Sequence, residues 1–235
     1  MNITKRISSI CEHIDGQRLA DIGTDHCFLP IHAIKSEKVI AVIATELNAG
    51  PLERGRANVA REGLLDKIEL RLGDGFSPIM PSECDCATIS GMGGMLIASI
   101  LERGISVVCE LNQLILSPQS DHALVRQTLH KIGFEIYAED MVKEGEKFYP
   151  LIIARPCEGR VCDYSDFEYE FGKLMLERPN DDFYAYLDEL LRKNKNIIDK
   201  NPLTEARKAE VLGVNRAIED FVNRGRPEKI NVIAD

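Results

Sequence analysis

The chain has 235 residues, 44% of them hydrophobic and 29% charged, and its 38 acidic against 29 basic side chains give a net charge of −9. That is enough apolar material for one α/β core plus a small appendage, while the acidic balance argues against a protein that neutralises nucleic-acid phosphates over its whole surface. There is no bilayer-length apolar run, no charged-then-apolar leader over residues 1–16, and no C-x-x-C pairing among the seven cysteines at 11, 27, 84, 86, 109, 157 and 162, so we expect a cytoplasmic protein that uses no membrane and no metal.

From Leu19 to about Ala154 short apolar or β-branched runs alternate with amphipathic stretches, the pattern of a parallel sheet covered by helices on both faces. The runs predict strands over 19–22, 39–45, 68–71, 85–89 and 114–116, with helices after Asp25, over 52–61, 95–102 and 122–131. Cys84 and Cys86 alternate at the start of the fourth strand and read as small buried hydrophobes. Residues 133–139 and 148–154 are extended runs joined by the charged turn Lys143-Glu144-Gly145-Glu146-Lys147, which predicts a closing hairpin with one antiparallel strand.

The chain turns polar after Arg155-Pro156 and then helical, punctuated by Pro179 and Pro202. Phe183, Leu187, Leu190, Leu191, Asn194, Ile197 and Ile198 form one stripe, and Leu203, Ala206, Val211, Val214, Ile218, Phe221 and Val222 a second, which predicts an antiparallel helix pair. We therefore expect a Rossmann-like domain over 1–157 and a helical, coiled-coil-like domain over 158–235. Residues 192–229 carry ten Lys and Arg against six acids; Arg192, Lys193 and Lys195 at its start are candidates to hold RNA.

The first strand ends in Leu19-Ala20-Asp21-Ile22-Gly23-Thr24-Asp25-His26, a glycine turn with two carboxylates where a dinucleotide enzyme would show G-x-G-x-x-G. A pyrophosphate would be repelled by Asp21 and Asp25, whereas a sulfonium and an ammonium would not. Glu46 closes the second strand 25 residues after Asp21, where an acid accepts from ribose hydroxyls. Gly73-Asp74-Gly75 follows the third strand and can meet the edge of an adenine, and Ser90-Gly91-Met92-Gly93-Gly94 follows the fourth, where glycines admit close approach of a ligand. All four lie at carboxyl ends of successive strands, where open α/β sheets place ligands.

The strings Ala20-Asp21-Ile22-Gly23-Thr24-Asp25-His26, Phe28-Leu29-Pro30, Glu46 with Gly50-Pro51, Arg71-Leu72-Gly73-Asp74-Gly75 and Gly91-Met92-Gly93-Gly94 resemble the bacterial tRNA adenine-22-N1 methyltransferase family over residues 7–154. The resemblance implies a class I methyltransferase fold, S-adenosylmethionine as donor and N1 of an adenine in tRNA as acceptor. It implies Asp21, Gly23, Glu46, Asp74, Gly75, Ser90 and Gly91 around the cofactor. Two positions depart: the family's Gln-Pro-Asn is Ser117-Pro118-Gln119 here, and Pro150 follows Tyr149 where an acid is usual.

Methyl transfer to N1 needs in-line approach and a group that offsets the positive charge growing on the ring. Asp25 is the candidate for that role, His26, Ser117, Pro118 and Gln119 for contacts to the base, and Phe28, Tyr137 or Tyr149 for stacking. Two other readings share the cofactor turn: a methyltransferase with a small-molecule or protein acceptor, and a non-catalytic RNA-binding or cofactor-sensing module.

Overall fold

The computed structural model describes residues 3–157, 163–200 and 203–225. In chain order its elements are α1 (Lys5–Glu12), β1 (Arg18–Ile22), α2 (Phe28–Lys35), β2 (Ala41–Glu46), α3 (Ala49–Arg61), β3 (Ile68–Leu72), β4 (Cys86–Ser90), α4 (Gly94–Arg103), α5 (Ile105–Val108), β5 (Gln113–Ser117), α6 (His122–Lys131), β6 (Phe134–Glu144) and β7 (Lys147–Pro156). The chain then continues as α7 (Asp166–Phe171), α8 (Lys173–Glu177), α9 (Asp181–Lys200) and α10 (Glu205–Gly225).

The seven strands form one sheet in the order β3-β2-β1-β4-β5-β7-β6. β1 to β5 pair in parallel and β7 runs antiparallel to both neighbours, which is the closing hairpin expected from the sequence. All five residues of β5 are buried, as a central strand covered on both faces requires. Leu19, Cys86, Ile115 and Ile153 pack against α1, α2 and α3 on one face. Ala20, Ile89, Leu114 and Ile152 pack against α4, α5 and α6 on the other.

The hairpin is tighter and longer than its sequence suggested. Glu144 pairs with Lys147, so only Gly145-Glu146 turns the chain, and β6 gains five residues over the predicted strand. A bulge falls at Tyr137, between Ile136 opposite Ala154 and Ala138 opposite Ile153. Strand β4 begins at Cys86, leaving Asp85 and the buried Cys84 in the preceding loop, where Asp85 accepts from the backbone of Gln17 and Arg18.

Two helices had no sequence prediction. α1 is capped by the Thr4 hydroxyl, which accepts from Ile7 N at 3.3 Å, and buries Ile7, Ile10 and Cys11 at helical spacing. The four-residue α5 is the other.

The chain divides into two compact units between Pro179 and Asn180, later than the expected boundary after residue 157. The reason lies in α7 and α8. Arg126 of α6 donates to the carbonyls of Tyr169 and Glu170, while Glu139 of β6 accepts from the backbone N–H groups of Leu174 and Met175. These bonds make residues 166–177 part of the sheet unit. The second unit is an antiparallel helix pair, as its stripes predict: Tyr184 stacks on Phe221 and Asn194 donates to Asn215 at 2.7 Å. Phe183, Leu187, Val211 and Ile218 form its buried seam. Of the segments read from sequence, the linker residues 158–162, Pro202, and Arg226, Glu228 and Lys229 of the basic stretch lie outside the described residues.

Candidate active site

The parallel register sets the carboxyl ends of β1, β2, β3, β4 and β5 on one edge of the sheet. Ile22 pairs with Thr45 and Ile89, Glu46 with Leu72, and Ser90 with Ser117. The turn after β1 is pinned there, because the N–H groups of Gly23 and Thr24 both donate to the Thr45 carbonyl at 2.8 and 2.9 Å. Gly23 has φ +76°, and a Cβ on it would lie 1.9 Å from the Met92 methyl carbon. The positive φ favours glycine here, while the Met92 methyl, at the end of a flexible side chain, could yield to a larger residue.

Asp21 lies beneath this turn rather than in it. It is buried and accepts from the Thr88 hydroxyl at 2.7 Å. Burial raises its pKa above the ordinary carboxylate range, and bonds from Thr88 and Thr24 oppose that shift. Glu46 stands at the end of β2 and accepts from the Asn48 N–H at 2.9 Å, leaving its second oxygen available at the edge.

Asp74 is paired with Arg103 of α4, whose second nitrogen lies 3.2 Å from Oδ1. This pairing holds the Asp74 carboxyl below its usual pKa. The two residues line a cavity of about 180 Å³ with Phe76 and Ile100, so Asp74 faces α4. Gly75 supports the edge through its backbone, its carbonyl accepting from the Thr45 hydroxyl at 3.0 Å.

Asp25 is exposed and bound at 2.9 Å to Arg54 of α3, with His26 Nε2 at 3.2 Å. The His26 ring stacks on Phe28 at 5.2 Å between centroids. Ser117 and Pro118 are buried and Gln119 is exposed. Gln119 N donates to the Met92 carbonyl at 2.8 Å and Gly91 N to that of Ser117 at 3.2 Å, so the loops after β4 and β5 are laced together. The Ser117 hydroxyl is buried with no hydrogen-bond partner among the described residues, an arrangement that costs free energy.

Several residues at this edge carried no local signal. Arg6 comes from the unpredicted α1: its guanidinium lies 4.6 Å from the Tyr149 ring centroid and 3.9 Å from the position of a Cβ on Gly91. Leu47 and Leu72 are exposed at the ends of β2 and β3, an apolar pair beside Glu46. Tyr137 is directed elsewhere, with its hydroxyl 2.5 Å from Gln113 Nε2 and Arg155 over its ring. Arg192, Lys193 and Lys195 belong to the helical unit and are exposed, and the first two pair with Glu189. Among the described residues no His, Cys, Asp and Glu cluster could hold a metal ion, and no helix is long and apolar enough to cross a membrane.

A family model described as a methyltransferase domain matches residues 3–152, nearly the whole sheet unit. The chain belongs to this methyltransferase family. A tRNA (adenine(22)-N(1))-methyltransferase from Bacillus subtilis (strain 168) is 36% identical over 155 residues, which span 66% of this chain and 65% of that protein. The chain thus matches just under two thirds of that relative's length. The crystal structure of the B. subtilis m1A22 tRNA methyltransferase TrmK superposes with TM-score 0.81 at 28% identity, covering 94% of this chain and 99% of the other. A Streptococcus pneumoniae protein solved in complex with S-adenosyl-L-methionine superposes with TM-score 0.85 at 27% identity, covering 94% and 100%. The methyltransferase sheet, its closing hairpin and the helical C-terminal region are therefore a shared architecture.

Proposed function

We propose that this chain is an S-adenosylmethionine-dependent methyltransferase acting on N1 of an adenine in tRNA, in the cytoplasm. The observation that carries the reading is the convergence of the Gly23 turn, Glu46, Gly91 and the unpartnered Ser117 hydroxyl on one sheet edge. The B. subtilis relative and the S. pneumoniae cofactor complex support the acceptor and the donor respectively.

The residues present fit the donor. A Cβ at Gly23 would fill the cradle over which Met92 lies, Arg54 beside the turn is paired with Asp25, and the acids suit a cationic ligand better than a phosphate. Glu46 would accept from the ribose hydroxyls, Leu47 and Leu72 would cover the adenine ring, and Asp74, once released by Arg103, would accept from its amino group. Bound there, S-adenosylmethionine supplies an electrophilic methyl group.

The acceptor nitrogen already carries a lone pair, so the protein's task is alignment and charge compensation rather than proton removal. Asp25 is our candidate to offset the charge that grows on the purine, with Arg54 and His26 fixing the carboxylate. Ser117 and Gln119 would bond the edge of the base against Pro118. N1 lies on the Watson–Crick edge, so the adenine must be unpaired or drawn from its stack, at a cost of a few kcal/mol. Basic side chains on the helical unit, Arg192, Lys193 and Lys195 among them, would hold the tRNA backbone.

Transfer of labelled methyl groups to unmodified tRNA, with the product nucleoside identified by mass spectrometry, tests the reading. N1-methyladenosine is the expected product. Cofactor binding with no transfer to tRNA would overturn the acceptor assignment in favour of a small-molecule or protein acceptor or a non-catalytic module, and absence of cofactor binding would overturn the whole.

A further inference from the structure

Arginines at the sheet edge fall into two groups. Arg54 and Arg103 are neutralised by Asp25 and Asp74. Arg6 has no carboxylate or hydrogen-bond partner among the described residues, and its Nε is buried. The residue is half-buried, and a guanidinium nitrogen shielded from water without an acceptor is costly, yet the fold holds it in place. The Tyr149 ring lies against its face at 4.6 Å. Helix α1, which carries it, is fastened to the sheet: the Gln113 amide donates to the His13 carbonyl at 2.8 Å, its oxygen accepts from Asp15 N at 2.9 Å, and Ser9 donates to Asp140 at 3.3 Å.

The position of Arg6 narrows the kind of group it can meet. Its nearer terminal nitrogen and the Gln119 amide nitrogen lie 3.9 and 4.0 Å from the same point, the site of a Cβ on Gly91, on the loops that also carry the unpartnered Ser117 hydroxyl. Arg6 thus stands beside the acceptor's place, and the donor brings no phosphate. Resting on the tRNA reading above, we propose that Arg6, braced by Tyr149, clamps the phosphodiester next to the target adenine and so fixes the nucleotide whose base reaches Ser117 and Gln119. The planar fork of a guanidinium suits two oxygens of one phosphate. Arg6 is then a substrate-binding residue supplied by a helix outside the glycine turn and the strand-end acids.

The test compares wild type, Arg6→Ala, Arg6→Lys and Tyr149→Ala in methylation of unmodified tRNA at several salt concentrations, with S-adenosylhomocysteine titrations and thermal melts as controls. Arg6→Ala should raise KM for tRNA at least tenfold, lower kcat far less, leave S-adenosylhomocysteine affinity unchanged, and reduce the slope of log KM against log salt by about one phosphate contact. Arg6→Lys keeps the charge and should restore the slope while recovering KM only in part; Tyr149→Ala should raise KM with the slope retained. If Arg6→Ala fails to fold, the Arg6→Lys and Tyr149→Ala pair decides the matter. Unchanged KM and slope in folded Arg6 variants of an active enzyme would overturn this assignment alone. A wild type that methylates no tRNA would overturn the functional reading and this assignment with it.

Discussion

Arg126 and Glu139 face each other 2.7 Å apart with side chains only 4% and 0% exposed, and between them they bind the backbone of four residues in α7 and α8. Every strong bond of the pair is thus satisfied inside the protein. Removing one partner leaves the other charged and buried, which costs about 3 to 5 kcal/mol. Arg126→Ala and Glu139→Ala should each lower stability by that amount in urea unfolding, and the double variant should lose less than their sum. Additive losses would show that the pair does not act as a unit. Gly172 belongs to the same device, since at φ +89° an added Cβ would come within 2.4 Å of the Glu139 carboxylate. Gly172→Ala should therefore destabilise by about 2 to 4 kcal/mol.

His122 makes stability depend on pH. Burial and the nearby Arg126 push its pKa down from 6.5 to about 4, against the opposing pull of Asp121 and the Pro118 backbone. The unfolded chain therefore takes up this proton at a higher pH than the folded one. Stability is full above about 6.5 and is lost as the pH falls toward 4, by about 3 kcal/mol in all. Asp21, whose pKa is raised, acts in the opposite sense, gaining stability as pH falls through its folded value. The contribution of His122 is isolated by difference: His122→Gln should flatten the loss measured between pH 7 and 5, and a wild-type slope in that variant would refute the assignment.

Glu46→Ala and Asp74→Ala should each weaken S-adenosylhomocysteine binding ten- to a hundredfold, the loss of one charge-assisted hydrogen bond worth about 1.5 to 3 kcal/mol. Asp25→Asn should spare that affinity and reduce methyl transfer by about two orders of magnitude or more. Calorimetric titration and single-turnover rates separate the two classes. Wild-type affinity in both Glu46 and Asp74 variants would remove the proposed cofactor site, and equal losses of binding and turnover would make Asp25 a cofactor ligand.

The unit boundary decides which truncation survives. A chain ending after Pro179 keeps the bonds from Arg126 and Glu139 to α7 and α8 and should bind S-adenosylhomocysteine as the full chain does. One ending before Ser165 uncovers the Arg126–Glu139 pair, removes its backbone partners and should be insoluble. In the full chain, charge reversal at Arg192, Lys193 and Lys195 should raise apparent KM for tRNA at a stability cost under about 0.5 kcal/mol each. Unchanged affinity in the folded triple variant would rule out this patch.

The sheet and its strand-end acids were legible because they depend on local repetition: apolar runs of period two or continuous burial, each followed by glycine or an acid. Arg6 was not, because its meaning comes from Tyr149 and Gly91, which are distant in sequence and meet it only across the folded sheet. Asp74 was found as a residue but not as a partner of Arg103, which lies 29 positions later on a helix whose pattern speaks only of its buried face. The two compact units part later than the expected boundary for the same reason, since the polar stretch after Arg155 is visible in sequence and the bonds that hold the next two helices to the sheet are not.

The bulge at Tyr137 acts as a phase shift in β6. Before it, Phe134 and Ile136 point to the α4 and α6 face, and strict alternation would send Glu139 toward α1 and Asp140 toward α6. The extra residue transposes them: Glu139, opposite Ile152, meets Arg126, while Asp140, opposite Leu151, meets Ser9 with His13 beside it. Two adjacent acids are thereby assigned to different partners on opposite sides of the sheet. Deleting this single position would close the ladder with Ala138 still opposite Ile153 and both acids on their present faces, whereas a residue inserted after Ala138 would turn each acid to the other face, so the reading frame beyond the bulge is under tighter constraint than the tyrosine that forms it.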